Sequence, residues 1–261
     1  MAKKRLIFTL HYSSEFFCLS RNFRLQKVGD LNWLDKNYNF PKIAFSIDEL
    51  VVLDVSRDGR DTPKFLEILK MLAKEIFVPV AAGGGIRKFE DAKLFFESGA
   101  DKIVVNEILS EDPDVVRSIA EVYGAQSIVA SVDYKINDNG IAEVFIENGT
   151  KKKETSLEDH IRYINTLPIG EIYLHSMRQD GTGQGYDIKT YSELAKQFEK
   201  PLIISGGAGN RYHLEEGLSL NFVDAVSTAN LFNFIGNGLP SAREHLLEKN
   251  FNIPKFIQTN L

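Results

Sequence analysis

The sequence predicts an α/β fold, one (β/α)8 barrel of the TIM type with an internal half-barrel duplication, and three observations predict it. Short apolar runs alternate with helix-patterned segments along the chain, as expected of parallel strands buried on both faces. Two of those runs end in similar glycine turns, Gly83-Gly84-Gly85-Ile86 and Ser205-Gly206-Gly207-Ala208-Gly209. Features also recur at one interval: Gly85 and Gly207, Gly59 and Gly181, Glu49 and Glu171, and His11 and Asp133 are each 122 residues apart. That interval is far longer than the roughly 20–50 residues of a solenoid unit. It holds about four βα units, so two copies make eight. Asp101 and Asp224 are 123 apart, a slip of one before the last strand. The 261 residues match the ~250 typical of such a barrel. The reading is one domain over 1–261, with halves of about 1–122 and 123–250.

Each element has its own signal. Leu6-Ile7-Phe8-Thr9-Leu10 is the first strand, and His11 to Asn22 a loop or hairpin. Asp30 caps a helix running to Tyr38, which Pro41 keeps short or broken. Leu50 to Leu53 is the second strand. Thr62, as cap, and Pro63, at the first helical position, open a helix whose Phe65, Leu66, Leu69 and Leu72 share one face. The third strand ends at Gly83; Phe89 to Glu97 is helical, with Gly99 as its left-handed terminator. The fourth strand runs to about Val105-Asn106, and Asp112-Pro113 starts the next helix. Ser127 to Val132 is the fifth strand, followed by an exposed hairpin at Asp138-Asn139-Gly140. Lys151-Lys152-Lys153 reads as a solvated end of that excursion. Ser156-Leu157-Glu158-Asp159 is a capping box. The sixth strand, Ile172 to Leu174, leads to His175, Ser176 and a polar loop. Asp187 to Phe198 is helical, then come the seventh strand from Pro201, the Arg211 to Leu220 helix, the eighth strand up to Ser227-Thr228, and a closing helix from Pro240 to Asn250.

Bulk composition excludes several classes. A net charge of -5 argues against nucleic acid as the main partner. No run of about 18 apolar residues exists, so no membrane span is expected, and the short apolar run after Met1-Ala2-Lys3-Lys4-Arg5 is too brief for a signal peptide. Cys18 is the lone cysteine, so no disulfide framework is expected and a reducing, cytoplasmic location is. Five scattered histidines give no metal-ligand spacing; neither metal nor cofactor is expected.

In such barrels the active site is built at the C-terminal ends of the strands. His11, Asp54, Asn106, Asp133, Ser176, Asp180-Gly181-Thr182 and Ala229-Asn230 fall there with the two glycine turns. They predict two neutral, amide-rich pockets, one per half, suited to a substrate with a phosphate at each end; turn geometry alone is the alternative. Asp133 ends an apolar strand, where a carboxylate is costly without a role, a capping or salt-bridged Asp being the alternative. His11 mirrors it across the mouth, where an ion pair or water bridge between the two is expected. A solvent-exposed or a satisfied core histidine is the alternative for His11. At the opposite end, Arg5, Glu49, Lys102 and Glu171 precede strands one, two, four and six. They are expected to meet at the axis as a salt-bridge ring, or to be ordinary stabilising charges of the bottom face.

These residues together resemble the HisF family, the cyclase subunit of imidazole glycerol phosphate synthase, over nearly the full length. The matching motifs are Lys4-Arg5, Asn22-Phe23, Gly29-Asp30, Asp48-Glu49-Leu50, Gly99-Ala100-Asp101-Lys102, Asp180-Gly181-Thr182, Gly185-Tyr186-Asp187 and both glycine turns. The resemblance implies phosphate sites at Gly84-Gly85 with Asn106 and at Gly206-Gly207 with Ala229-Asn230. It implies a HisH-like glutaminase docked on the bottom face, next to Asp101, with ammonia entering through Arg5, Glu49, Lys102 and Glu171.

The chain also departs from the family. His11 replaces the catalytic aspartate of strand one, while Asp133 retains the second. Leu19 replaces a lysine, Asn230 a serine, and His175 a small hydroxyl residue. Keeping the gate while losing one carboxylate resembles the second-copy HisF-like proteins of surface-polysaccharide pathways. Those work with a HisH-like glutaminase and an N-acetyl sugar amidotransferase in acetamidino-sugar formation, and the stretch from Val28 to Asn32 resembles theirs. The expectation is an enzyme subunit of the lyase and amidotransferase-complex type acting on a phosphorylated small molecule. An ordinary histidine-pathway cyclase and a non-catalytic glutaminase activator are the alternatives.

Overall fold

The computed structural model describes residues 3–38, 43–57 and 59–256. Eight parallel strands form a barrel: Arg5–Ser13, Glu49–Asp54, Val80–Gly83, Lys102–Val105, Ile128–Ile136, Glu171–Ser176, Leu202–Ser205 and Ala225–Thr228. Each pairs with the next and the eighth returns to the first, so the cylinder has no open edge. Side chains alternate across a strand, so every second residue points to the axis. One such residue per strand builds an apolar layer: Ile7, Val51, Ala81, Val104, Val129, Tyr173, Ile203 and Ala225. Above it lies a hydroxyl layer. Thr9 Oγ1 meets Ser227 Oγ at 2.7 Å and the Tyr173 hydroxyl at 3.1 Å, and that hydroxyl meets Ser205 Oγ at 2.8 Å. The outward residues, among them Leu6, Phe8, Leu50, Val52 and Ile204, pack under the helices in a larger core.

The first and fifth strands run past the ends expected of them, to Ser13 and Ile136, because each continues into an antiparallel hairpin. Phe16–Arg21 pairs with the first and is backed by Arg24–Gly29; Ala142–Ile146 pairs with the fifth and is backed by Lys151–Ser156. His11 faces Cys18, and Asp133 faces Phe145. Asp133 therefore lies inside a strand rather than at its end. The three lysines of the last strand pair with Glu147, Glu143 and Glu111, as a solvated face would.

The helices Phe89–Glu97, Leu157–Asn165, Arg211–Ser219 and Gly238–Glu248 lie where the pattern puts them. Asp30 Oδ1 accepts from Trp33 N at 2.9 Å, ahead of the helix Leu31–Tyr38. In the helix Thr62–Glu75 the cap is Asp61, not Thr62: its carboxylate reaches Lys64 N, and Thr62 begins the first turn. Asp112 holds the cap position of Pro113–Tyr123 without a side-chain bond, and the short helix Ile108–Glu111 has no signal in the pattern. The segment expected as one helix up to Phe198 is instead Ile188–Glu193 and a 3-10 turn, Ala195–Gln197. Leu194 leaves helical geometry, and Gln197 N bonds Leu194 O. Pro41 and Asp58 lie outside the described residues. Among the described residues no helix is long and apolar enough to cross a membrane, and no cluster of His, Cys, Asp and Glu could hold a metal.

Candidate functional site at the two ends of the barrel axis

At the strand-start end, the four predicted charges close into a ring. Arg5 reaches Glu49 at 2.7 Å and Glu171 at 2.8 Å; Lys102 reaches the same two carboxylates, each at 2.9 Å. The ring exists because all four residues start strands and share the inward phase of the period-2 alternation. Burial outweighs both cations at Glu49 and raises its carboxyl. At Glu171 burial is overcome by Arg5 and then Lys102, and the carboxyl is held below its ordinary value. Asp101, beside the ring, clamps a neighbouring strand: its carboxylate accepts from Val80 N at 2.8 Å while its own N–H donates to Val80 O. Asp224 repeats that clamp on Leu202 in the other half.

The opposite end holds the mouth. A cavity of about 540 Å³ lies over the first half, lined by His11, Asp54, Gly84, Gly85, Asn106, Asp133 and His175, and it extends down to Val104 and Tyr173. At the second glycine turn, lined by Asp180, Gly181, Gly206, Gly207, Ala229 and Asn230, the enclosed space is only about 20 Å³. The two pockets are thus unequal, contrary to the expected symmetry. The hairpin after the first strand causes this: Ser20 O lies so close to Gly181 that a Cβ there would meet it at 2.0 Å. Asn22 ties the hairpin down, its N–H donating to Asp180 O and its carboxamide to Arg178 O.

The first pocket is not neutral either. Arg57, Arg60 and Arg87 line it. Arg57 spans to the Phe23 and Asn148 carbonyls; Arg60 lies against Asp54 at 3.2 Å and beside Gly85, and Arg87 pairs with Glu107. Sequence reading takes Gly59 only as a marker of the repeat; the one signal for these cations is the pair of arginines, Arg57 and Arg60, around it. Gly84 lies over Asp54 O and Gly206 over Ser176 O, where a Cβ would come to 2.4 and 2.6 Å. Only glycine fits such turns at their positive φ.

Several predicted side chains have local duties. Asn106 donates to Ser131 O at 2.9 Å and lies 3.4 Å from Asp133 Oδ2. Thr182 donates to Gln179 O, and Asn230 caps the following turn through Phe232 N and Asn233 N. His11 and Asp133 both line the large cavity without an ion pair between them, so of the two expected links only the water bridge is left. Burial drives the His11 imidazole down to about 4 against the pull of Asp180, so it is neutral. Burial pushes the half-buried Asp133 up to about 6 despite His175. Asp180 is held at about 2, because His175, His11 and Ser20 together outweigh burial.

The chain matches the histidine biosynthesis protein family over residues 42–235. It is 50% identical over 244 residues, 94% of this chain and 90% of the other, to a protein of Parasynechococcus marenigrum (strain WH8102) provisionally named imidazole glycerol phosphate synthase subunit hisF2. Proteins named imidazole glycerol phosphate synthase subunit HisF are also similar. The one from Alkaliphilus metalliredigens (strain QYMF) is 31% identical over 88% of this chain and 89% of its own. The one from Chloroherpeton thalassium (strain ATCC 35110 / GB-78) is 36% identical over 79% and 82%.

Proposed function

Because the chain belongs to the histidine biosynthesis protein family, among its HisF-type imidazole glycerol phosphate synthase subunits, we propose that it receives ammonia from a HisH-like glutaminase and delivers it for acetamidino-sugar formation in surface-polysaccharide biosynthesis. The glutaminase docks where Arg5, Glu49, Lys102 and Glu171 form the ring. Ammonia travels as the neutral molecule, because an ammonium ion in the apolar layer above the ring would lose its hydration without a partner. It emerges into the cavity, where a phosphorylated substrate sits with its phosphate on the Gly84-Gly85 turn near Arg57 and Arg60. An N-acetyl sugar amidotransferase is the further partner.

One observation carries this reading: the ring is complete while the first-strand carboxylate of the family is replaced by His11, held neutral by burial. The 50% identity to the protein named hisF2, against 31% and 36% to two named HisF, supports it. Retention of Asp133 and both glycine turns favours the ordinary cyclase as the second reading. We further propose that the 122-residue echo records a half-barrel duplication. Co-purification with the HisH-like glutaminase tests the partner, with Lys102→Ala as the interface probe, since Asp101→Ala also breaks the clamp on Val80. A stable complex weakened by Lys102→Ala is expected; absence of any complex removes the reading.

A further inference from the structure

His175 and Asp180 have no part in ammonia delivery as described above, yet His175 lines both pockets and Asp180 the second. His175 stands on the sixth strand between Asp133 of the fifth and Ser205 of the seventh. Its ring is edge-on to Phe23 at 5.3 Å and nearly parallel to Tyr173 at 6.3 Å, which restricts its rotation. Nε2 is buried and lies 3.5 Å from Asp180 Oδ1, without hydrogen-bond alignment. Nδ1 makes no hydrogen bond among the described residues, and the residue lines both cavities. Asp180 is itself fixed, accepting from Ser20 Oγ at 2.5 Å and Phe23 N at 3.0 Å through Oδ2. A carboxylate set on one imidazole nitrogen orients the ring and leaves the other nitrogen to act on a ligand.

Resting on the reading of the mouth as the site of a phosphorylated ligand, we propose that His175 is its hydrogen-bond donor: with Asp180 beside Nε2, it presents Nδ1–H to a sugar oxygen of a ligand whose phosphate occupies the Gly84-Gly85 turn. The hydrogen stays on Nδ1 and is shared with that oxygen, while Nε2–H points towards Asp180, so no bond is broken. Several elements set titratable groups around the ring. The first strand brings His11, neutral by burial; the fifth brings Asp133; its own strand brings Tyr173; the loop brings Asp180. Among the described residues the hairpin and the seventh strand bring the uncharged Ser20, Phe23 and Ser205. Burial opposes the imidazolium, but Asp180 and then Asp133 prevail and raise it above its ordinary value. The site therefore sets His175, its charged form favoured, on the strand beside Asp133, where the resemblance leads one to expect two carboxylates.

The test uses the full chain. Side-chain NMR, with His175 assigned through His175→Gln, follows the imidazole across neutral pH. His175 should be doubly protonated at pH 7, and Asp180→Asn should move its midpoint down by about one unit or more. Should Asp180→Asn fail to fold, Asp180→Ser, which also removes the negative charge, should shift it the same way. Calorimetry with ribose 5-phosphate then reads contact with the ligand. Its affinity should fall about tenfold per pH unit above the His175 midpoint, whereas inorganic phosphate and His175→Gln show no such fall. A neutral His175 at pH 7, a midpoint indifferent to Asp180, or a ribose 5-phosphate affinity that is flat or absent overturns the proposal. The glutaminase takes no part in either measurement, so loss of that complex would leave these results unchanged.

Discussion

The ring predicts that its two carboxylates are not equivalent. Glu171 accepts from Arg5 Nη2 at 2.8 Å, from Arg5 Nη1 at 3.2 Å and from Lys102 at 2.9 Å, using both oxygens. Glu49 engages both cations through Oε2 alone and leaves Oε1 buried without a partner. Removing one partner of a buried pair costs about 3–5 kcal/mol. In Glu171→Gln the cations keep Glu49, and Arg5 and Lys102 are 20% and 18% exposed. The loss is therefore discounted to about 1–3 kcal/mol. In Glu49→Gln the lost attraction is offset by relief of burying a charge with one oxygen unmet, and the loss should stay below about 1 kcal/mol. Urea unfolding at neutral pH reads both. The sign with pH is also set. Glu171 is depressed in the folded state, so its contribution is complete above the unfolded carboxyl range near 4.5 and is lost as pH falls through the folded value. The gap between the original protein and Glu171→Gln should close in acid. Equal losses at the two positions, or a larger one at Glu49, would refute the reasoning.

Two further outcomes follow from the mouth. His11 is held at about 4 against an ordinary 6.5, so the folded state binds fewer protons, and the stability this confers above pH 6.5 is lost as pH falls through 4. His11→Asn should gain on the original protein over that window by at most about 3 kcal/mol in denaturant titrations; a constant difference contradicts a buried neutral imidazole. Gly207→Ala sets a Cβ 1.9 Å from Gly185 O at φ +105, whereas Gly140→Ala, at φ +78, meets nothing. Gly140→Ala should cost about 1–2 kcal/mol by thermal unfolding and Gly207→Ala clearly more; similar costs would mean the second turn is not closely packed.

Much of the site was legible because it follows from local rules. Arg5, Glu49, Lys102 and Glu171 start strands, so a period of two carries them to one face, and the 122-residue interval paired the glycine turns before any contact was seen. The hairpins were harder. That the first strand continues past His11 depends on its pairing with Phe16–Arg21, which the apolar pattern ending at Leu10 does not show. The inequality of the pockets rests on Ser20 and Asn22 meeting the Asp180 loop from more than 150 residues away, and no local signal encodes that. His175 was visible as a departure, but its pairing with Asp180 depends on how the loop after the sixth strand folds back. Asp61 and Thr62 are both competent caps, and only the backbone geometry decides between them.

Ammonium-driven turnover of the histidine-pathway ribonucleotide tests the central claim most directly, because excess ammonium salt at basic pH bypasses the glutaminase. With His11 in place of a carboxylate, and with Leu19 and Asn230 also departing from the family, negligible cyclase activity is expected, and His11→Asp should restore little of it. Turnover of roughly 1 s⁻¹ or more by the unaltered protein, within the ordinary enzymatic range, would contradict the sugar-pathway account and return the chain to the histidine cyclases.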